Sequence, residues 1–360
     1  MHASNLPCEL KSPSAWKGTE LVGRDDWQYR LTDAEANEVE AAFQRFTDRR
    51  IGLLEAAQSD FPLPTLGPKL ATLLDKLERG YGFLVIRGLP VADKSPEQAR
   101  LIAWGVGMYL GVALPQNDDV EMIVDVRDKG YDSAVTLRGN SSKDAIRYHV
   151  DPCDVVGLLC RRGAKAGGLS LVTSSLTVHN EIARRRPDLL QVLYRPFPFI
   201  KLAKSEAVPY YLSPIYGFRE GHFTSQFYAK RIYAASELPN APRLTDAQRE
   251  AIELIETIAG DPELTLPMTL EAGDLQLLSN HVIYHSRTEF HDHEETDHKR
   301  HLYRLWFATR NSRPLPATFV DAYNGSTEPG TVRGGYIGWK FPEKVGPYQQ
   351  RLSGELGLAA

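Results

Sequence analysis

From about residue 110 onward the chain is divided into short apolar or alternating segments, each bounded by Gly, Pro, Asn or Asp. These segments are EMIVDV, VGLLC, LSLVT, LTLPMTL, LQLLS, HVIYH and HLYRLWFAT. Such short, closely spaced segments are typical of antiparallel strands, whereas a parallel sheet would alternate its strands with helices. The pattern therefore predicts a mainly β protein built as a sandwich or barrel.

Helical patterns precede this β region. A capping box of Thr32 and Glu35 opens one helix, and leucines spaced i, i+3, i+4, i+7 form a second that ends at Gly80. Ser95 and Pro96 are the expected N-cap and first residue of a third. The segment YGFLVIRG has strand character.

Two helical insertions are expected inside the β region. One is SLTVHNEIARRRPDLLQVLY, broken near Pro187, and the other is LTDAQREAIELIETIAG, opened by a capping box at Thr245 and Gln248. The Gly-rich tail after Tyr323 is expected to be irregular. We predict a single domain over residues 1–360, with a framing region at 1–110, a β core at 111–310 and a tail at 311–360.

Composition narrows the function classes. With 42 Lys and Arg against 46 Asp and Glu, the net charge of -4 gives no basic footprint for nucleic acid or for an anionic membrane, so a small-molecule substrate is favoured. The three cysteines, Cys8, Cys153 and Cys160, lack CxxC spacing and suit a reducing compartment. No targeting segment or membrane-spanning run is evident, and we expect a cytoplasmic protein that could be a homo-oligomer.

The stretch RYHVDPCD carries the first chemical signal. Residues i and i+2 of an extended chain point to the same face, so His149 and Asp151 would present an imidazole and a carboxylate together. The pair is half of a metal site or a general-base pair, and a hydrogen-bonded structural pair is the alternative.

A second signal lies in GDLQLLSNHVIYHSRTEF. Read as one strand, this segment places His281, Ile283 and His285 on one face, and either histidine could complete the site. Two histidines and one carboxylate form the facial triad of non-haem Fe(II) oxygenases.

A third signal is KRHLYRLWFATR, in which Arg300, Leu302, Arg304 and Trp306 share a strand face. Two inward guanidinium groups would need anions, and a dicarboxylate cosubstrate would supply them. The alternative is ion pairing at the surface with the acidic loop 292–297. The histidines at 291, 293, 298 and 301 could form a second metal site, but a solvated loop is the preferred interpretation.

Taken together, the chain resembles the taurine dioxygenase (TauD/TfdA) family of Fe(II)/2-oxoglutarate-dependent oxygenases. The resemblance is carried by HVD at 149–151, GGLS at 167–170, NHVIYHSRTEF at 280–290 and KRHLYRLWF at 299–307, with GYGFLVIRGLP near the N-terminus. It implies a double-stranded β-helix (jelly-roll) core with flanking helices.

The resemblance also implies residue roles. Iron would be held by His149, Asp151 and His285, which selects His285 over His281. Arg300, helped by the Ser170 hydroxyl, would bind the far carboxylate of 2-oxoglutarate, with Arg304 nearer the substrate. Because the segment between the distal histidine and these arginines is long and charged, Arg304 remains an alternative anchor for the cosubstrate.

The implied reaction consumes 2-oxoglutarate and O2, releases succinate and CO2, and oxidises an unactivated C–H bond. Hydroxylation is expected first, with desaturation or cyclisation as alternatives, on a small anionic or amino-acid-like metabolite. The candidate substrate contacts are Arg304, Gln116, Asn117, Arg138, Asn140 and Tyr210, although ordinary loop and turn roles would explain most of them equally well.

Two other functions fit the same residues. A zinc-dependent hydrolase could use the three ligands with an activated water, but the two inward arginines would then have no obvious role. A non-catalytic jelly-roll binding protein is the second alternative, because the Gly167–Ser170 stretch departs from the family pattern of an acidic residue followed by threonine.

Overall fold

The computed structural model describes residues 9–131, 141–201, 203, 208–338 and 345–359. Its strands are β1 (Gln28–Arg30), β2 (Phe83–Arg87), β3 (Val112–Ala113), β4 (Ile123–Val126), β5 (Ile146–His149), β6 (Val155–Arg162), β7 (Ala166–Gly167), β8 (Ser170–Ser174), β9 (Pro196–Ile200), β10 (Tyr210–Pro214), β11 (Tyr216–Arg219), β12 (His222–Ser225), β13 (Thr265–Met268), β14 (Leu275–Ser279), β15 (Ile283–Arg287), β16 (Phe290–His291) and β17 (His301–Ala308).

Helices flank these strands. They are α1 (Gly18–Leu21), α2 (Asp33–Arg49), α3 (Leu66–Arg79), α4 (Pro96–Gly107), α5 (Ser175–Arg185), α6 (Pro187–Leu193), α7 (Ala229–Ser236), α8 (Asp246–Ala259) and α9 (Val345–Leu356). None of the helices in the described ranges is both long enough and apolar enough to cross a bilayer.

Two sheets form the jelly-roll core. The larger has seven strands, ordered β1–β2–β14–β6–β17–β3 with β4 also paired to β17, and the smaller has four, ordered β13–β8–β15–β5. All pairs are antiparallel except β1 with β2. Helices α3 and α4 pack on the larger sheet, while α5 and α8 pack on the smaller. The predicted mainly β fold with flanking helices is confirmed.

Local signals set the helix ends as expected. Thr32, Ser95 and Thr245 each accept a hydrogen bond from the backbone N–H three residues later, and each helix begins at the next residue. The segment around Pro187 divides into α5 and α6, because a proline lacks the N–H that would continue the helix.

Three helices differ from expectation, the shortest being the four-residue α1, which was not predicted. Helix α7 lies in a region where no helix was predicted, and α9 lies in the tail that was expected to be irregular. Helix α9 buries Val345, Tyr348 and Leu352, and the Tyr348 hydroxyl accepts a hydrogen bond from the Ala113 N–H at 3.1 Å. Packing against the core therefore stabilises a helix in a Gly-rich tail whose composition favours irregular chain.

The segment 275–287 is not one strand. Strand β14 belongs to the larger sheet and β15 to the smaller, and residues 280–282 carry the chain between them. The side-chain alternation assumed from His281 to His285 is therefore broken at this corner, and the prediction that His281, Ile283 and His285 share one strand face is wrong.

Candidate metal centre and its cavity

Strand pairing brings the three predicted ligands together. In the smaller sheet His285 on β15 is directly opposite His149 on β5, with ring centroids 4.2 Å apart. Asp151 follows β5 by two residues, and its Oδ2 lies 3.8 Å from Nε2 of His285. One ligand atom from each residue lies within 4.8 Å of the others, and all three side chains are buried. Such a cluster has the size and donor set of a metal site.

The protonation states of these groups suit a cation. Burial lowers the pKa of His149 and lowers that of His285 to about 3, so both imidazoles are neutral at pH 7. Burial alone would favour the protonated form of Asp151, but nearby positive charge, above all that of Arg304, lowers its pKa to about 2. The Nδ1 of His149 lies 2.9 Å from the Arg147 carbonyl and can donate to it, which leaves Nε2 with a lone pair for a metal.

Unpaired polar atoms support the same reading. Oδ2 of Asp151 and Nδ1 of His285 are buried without a hydrogen-bond partner among the described residues. Buried polar groups rarely lack partners unless an ion, water or ligand fills the space. Two neutral imidazoles and one carboxylate, with atoms left unpaired, fit Fe(II) held by a facial triad.

Two side chains hold Asp151 in place. Its backbone N–H donates to Oδ1 of Asn280 at 2.9 Å, while Nδ2 of Asn280 donates to Sγ of Cys153 at 3.1 Å. Nη1 of Arg304 lies 3.5 Å from Oδ1 of Asp151. Asn280, in the corner at 280–282, therefore fixes the backbone of Asp151, and Arg304 from the larger sheet faces its carboxylate.

His281 serves a different cluster. Its Nε2 lies 3.0 Å from Oδ1 of Asp154, and its Nδ1 lies 3.1 Å from Oγ1 of Thr224 and 3.2 Å from the Tyr323 hydroxyl. It is not part of the three-residue metal cluster. It is therefore a buried, hydrogen-bonded histidine that packs against Asp154, three residues after the proposed ligand Asp151.

A cavity opens beside the metal cluster, between the two sheets. Val124, Leu158, Leu302 and Trp306 from the larger sheet give it an apolar wall. Arg300, Leu302, Arg304 and Trp306, which were expected to share one face, all line it. The smaller sheet contributes the metal cluster, Ser170 and Arg287.

Arg287 and Arg300 form a pair of cations at this cavity. Both guanidinium carbons lie over the Phe290 ring, 4.7 and 5.1 Å from its centroid. Nε and Nη1 of Arg287 and Nη1 of Arg300 are buried without hydrogen-bond partners among the described residues. Burial and the neighbouring charge of Arg300 lower the pKa of Arg287 to about 9. Nη2 of Arg287 donates to the Ser142 and Asp144 carbonyls, so the donors left over on the two guanidinium groups form a site for a carboxylate.

Gly168 and Ser170 lie beside this pair. A Cβ at Gly168 would lie 3.2 Å from Nε of Arg300, so only glycine leaves that space free. The Ser170 hydroxyl lines the cavity and donates to Oε1 of Gln276 at 2.9 Å.

Arg304 occupies a different position. Its Nε donates to Oε1 of Gln116 at 2.8 Å, and its charge acts on Asp151, His149 and His285. Arg300, by contrast, interacts with Arg287, Cys160 and Asp292. Arg304 therefore lies at the metal end of the cavity, and Arg300 lies away from it.

The expected substrate contacts divide into three groups. Gln116 and Asn117 line the cavity, but their amides are used locally: Gln116 donates to two backbone carbonyls and Asn117 donates to Glu121. Arg138 and Asn140 lie outside the described residues. Tyr210 is not among the residues that line the cavity, and its hydroxyl donates to the Asn240 carbonyl. Side chains alternate along β10, so the neighbouring Tyr211 is the one that is buried.

The cavity also includes residues that the sequence analysis missed. The charged and aromatic ones are Glu121, Lys129, Tyr228, Arg231 and Arg287. Arg287 could have been found, because it stands two residues after His285 on the same strand and so shares its face. Nothing in the local sequence separates Lys129, Tyr228 and Arg231 from ordinary surface positions.

Comparison with known proteins now gives the family. Residues 47–306 match the model of the family described as taurine catabolism dioxygenase TauD, TfdA family. The chain belongs to the TauD/TfdA family. It is an Fe(II)/2-oxoglutarate-dependent oxygenase, and its cofactors are Fe(II), 2-oxoglutarate and O2.

Two curated relatives of the TauD/TfdA protein align over most of its length. FR-33289 synthase of Streptomyces rubellomurinus is 28% identical over 319 residues, covering 86% of this chain and 94% of the relative. The taurine hydroxylase-like protein SAT17 of Stachybotrys chartarum is 27% identical over 320 residues, covering 84% and 81%.

Solved structures share the fold. An asparagine oxygenase in complex with Fe(II), 3-hydroxyasparagine and succinate superposes with a TM-score of 0.59 at 19% identity, covering 78% of this chain and 93% of the other. The oxygenase OrfP with Fe and alpha-ketoglutaric acid gives 0.60 at 16% identity, with the same coverage. At this identity the likeness shows the jelly-roll fold of the TauD/TfdA protein.

Proposed function

We propose that this oxygenase oxidises an unactivated C–H bond, by hydroxylation, in a small anionic metabolite. The observation that carries the anionic substrate is the charge of the cavity. Its described lining has five cationic side chains, Lys129, Arg231, Arg287, Arg300 and Arg304, against two acidic ones, Glu121 and Asp151. A divalent metal and a doubly charged cosubstrate balance each other, so the cationic excess remains for the substrate.

Each residue near the metal then has a task. His149, Asp151 and His285 hold Fe(II), while Asn280 fixes the Asp151 backbone and Arg304 orients its carboxylate. Arg300 binds the far carboxylate of 2-oxoglutarate, with Arg287 beside it and the Ser170 hydroxyl nearby. Its position away from the metal and its unpaired Nη1 favour Arg300 over Arg304 for this role.

Bound iron and 2-oxoglutarate supply the oxidising power, because O2 converts the cosubstrate to succinate and CO2 as the substrate C–H bond is oxidised. The protein supplies placement. The apolar wall of Leu158, Leu302 and Trp306 excludes water from the reacting carbon, while the arginines fix charged groups around it. The solved neighbours with hydroxylated amino acids bound support hydroxylation and an amino-acid-like substrate.

The test is anaerobic addition of Fe(II) and 2-oxoglutarate to the apoprotein, followed by visible spectroscopy. We expect a weak metal-to-ligand charge-transfer band that is absent in His285→Ala and retained in the control His222→Ala, whose histidine is exposed on β12. Circular dichroism establishes that each variant is folded. Absence of the band from the folded wild type would overturn the proposed roles and favour the zinc hydrolase or the binding protein.

A further inference from the structure

Arg231 is a cation in the metal cavity with no assigned partner. It makes no ion pair and no side-chain hydrogen bond within the described residues, and its Nε is buried and unpaired. Its guanidinium carbon lies 5.4 Å from the centroid of the Tyr228 ring. Its buried Nε therefore has a donor to spare, and an anion bound to the guanidinium would supply the partner.

The position of Arg231 ties it to the reacting centre. It lies in the first turn of α7, and Tyr228 just before that helix forms an isolated antiparallel bridge with His149. The Tyr228 and His149 rings have centroids 4.9 Å apart. Arg231 is therefore separated from a proposed metal ligand by one aromatic ring.

A smaller side cavity adjoins the metal cavity at this point. Asp151, Tyr228 and Arg231 line both, and Tyr211 and Gln226 line only the smaller one. Nε2 of Gln226 donates to the Tyr211 hydroxyl at 2.8 Å, but its Oε1 is buried and has no partner among the described residues. The side cavity thus presents an unused cation and an unused hydrogen-bond acceptor.

The other cations of the cavity have other roles. Arg304 is bonded to Gln116 and lies against Asp151, and Arg287 and Arg300 form the pair assigned to the cosubstrate. Lys129 is exposed at the edge of the cavity. Among the cationic residues described in the cavity lining, Arg231 is the one that is partly buried and has no role yet.

We propose that Arg231 binds an oxyanion group of the substrate, a carboxylate or sulfonate, and that Gln226 accepts a hydrogen bond from an N–H or O–H of the same molecule. This inference rests on the proposed function and makes Arg231 a determinant of specificity. The side cavity measures about 20 Å³, which is room for about one water molecule, so the charged group would bind Arg231 from the metal cavity and only its N–H or O–H would reach Gln226.

The experiment is calorimetric titration of anaerobic enzyme, saturated with Fe(II) and 2-oxoglutarate, with methanesulfonate and with sulfate. Saturating cosubstrate keeps these probes from the Arg287–Arg300 pair. We expect Arg231→Gln to weaken their binding at least about tenfold, as loss of a charge-assisted contact predicts, and Arg231→Lys to retain part of it. The matched control Lys129→Gln removes the same charge at the exposed edge and should change affinity less than about threefold.

The Gln226 role has its own test. The probes are hydroxyalkanesulfonates of about two to four carbons, each compared with the alkanesulfonate of equal length. We expect at least one hydroxylated probe to bind more tightly than its partner, by about threefold. In Gln226→Met this difference in affinity should vanish. If wild type binds no probe, or Arg231→Gln binds as wild type does, the inference is overturned. The charge-transfer band reports separately on the proposed function, so the two failures are distinguishable.

Discussion

Asp154 and Arg333 form a fully buried ion pair, with Nη2 of the arginine 2.8 Å from Oδ1 of the aspartate. Asp154 stands three residues after Asp151, and Arg333 lies in the C-terminal segment, beyond residue 306 where the family match ends. The same segment donates from the Gly335 N–H to the Pro152 carbonyl at 2.7 Å. The loop that carries the proposed carboxylate ligand is therefore held from behind by the C-terminal segment.

Replacing Arg333 tests this support. Arg333→Met leaves the buried carboxylate of Asp154 without its cation, and we expect unfolding free energy measured in urea to fall by about 3–5 kcal/mol. The double variant Asp154→Asn/Arg333→Met should recover part of the loss. The control Arg310→Met removes an exposed arginine 3.7 Å from Asp75 and should cost less than about 1 kcal/mol. A loss from Arg333→Met no larger than the control would show that the pair does not support the loop.

Replacing Arg300 tests the cosubstrate site. Arg300→Gln removes the cation assigned to the far carboxylate, and we expect KM for 2-oxoglutarate to rise about 100-fold, as loss of a buried charge-assisted contact predicts. Arg304→Gln should affect KM for 2-oxoglutarate less, because its charge acts on the metal ligands. The measurement is succinate formation against 2-oxoglutarate concentration. The reverse order of effects would make Arg304 the anchor.

Adding one methyl group at Gly168 tests the same site sterically. Its φ is +68°, and a Cβ would lie 3.2 Å from Nε of Arg300, so Gly168→Ala combines backbone strain with displacement of the arginine. Gly221→Ala is the control, because its φ of +84° carries similar strain with nothing within 4 Å of the new Cβ. Both should lose about 1–2 kcal/mol of stability in urea, but only Gly168→Ala should raise KM for 2-oxoglutarate. Equal KM values would contradict the assignment.

His179 predicts a pH dependence of stability. Burial lowers its pKa to about 4, whereas an unfolded histidine titrates near about 6.5. Below pH 6.5 the unfolded chain takes up a proton that the folded protein excludes, so stability falls as pH falls, by about 2 kcal/mol between pH 7.5 and 5. Urea denaturation of wild type and His179→Gln at both pH values isolates this contribution. A wild type that loses no more stability than the variant would refute it.

The sequence alone determined features that depend on neighbours along the chain. Capping residues set the starts of α2, α4 and α8, since a cap bonds to an N–H only three residues away. Strand alternation placed Arg300 and Arg304 on one face for the same local reason, and both line the cavity. The same rule, applied from His285, would also have found Arg287.

Tertiary structure decided what local rules do not reach. Alternation failed at His281 because the chain changes sheets between β14 and β15, and a strand period holds only within one strand. Arg231 joins the cavity because Tyr228 bridges to His149, which lies 79 positions earlier in the chain. Such contacts depend on which strands and helices pack together, and that choice is set by burial across the whole core rather than by any short stretch of residues.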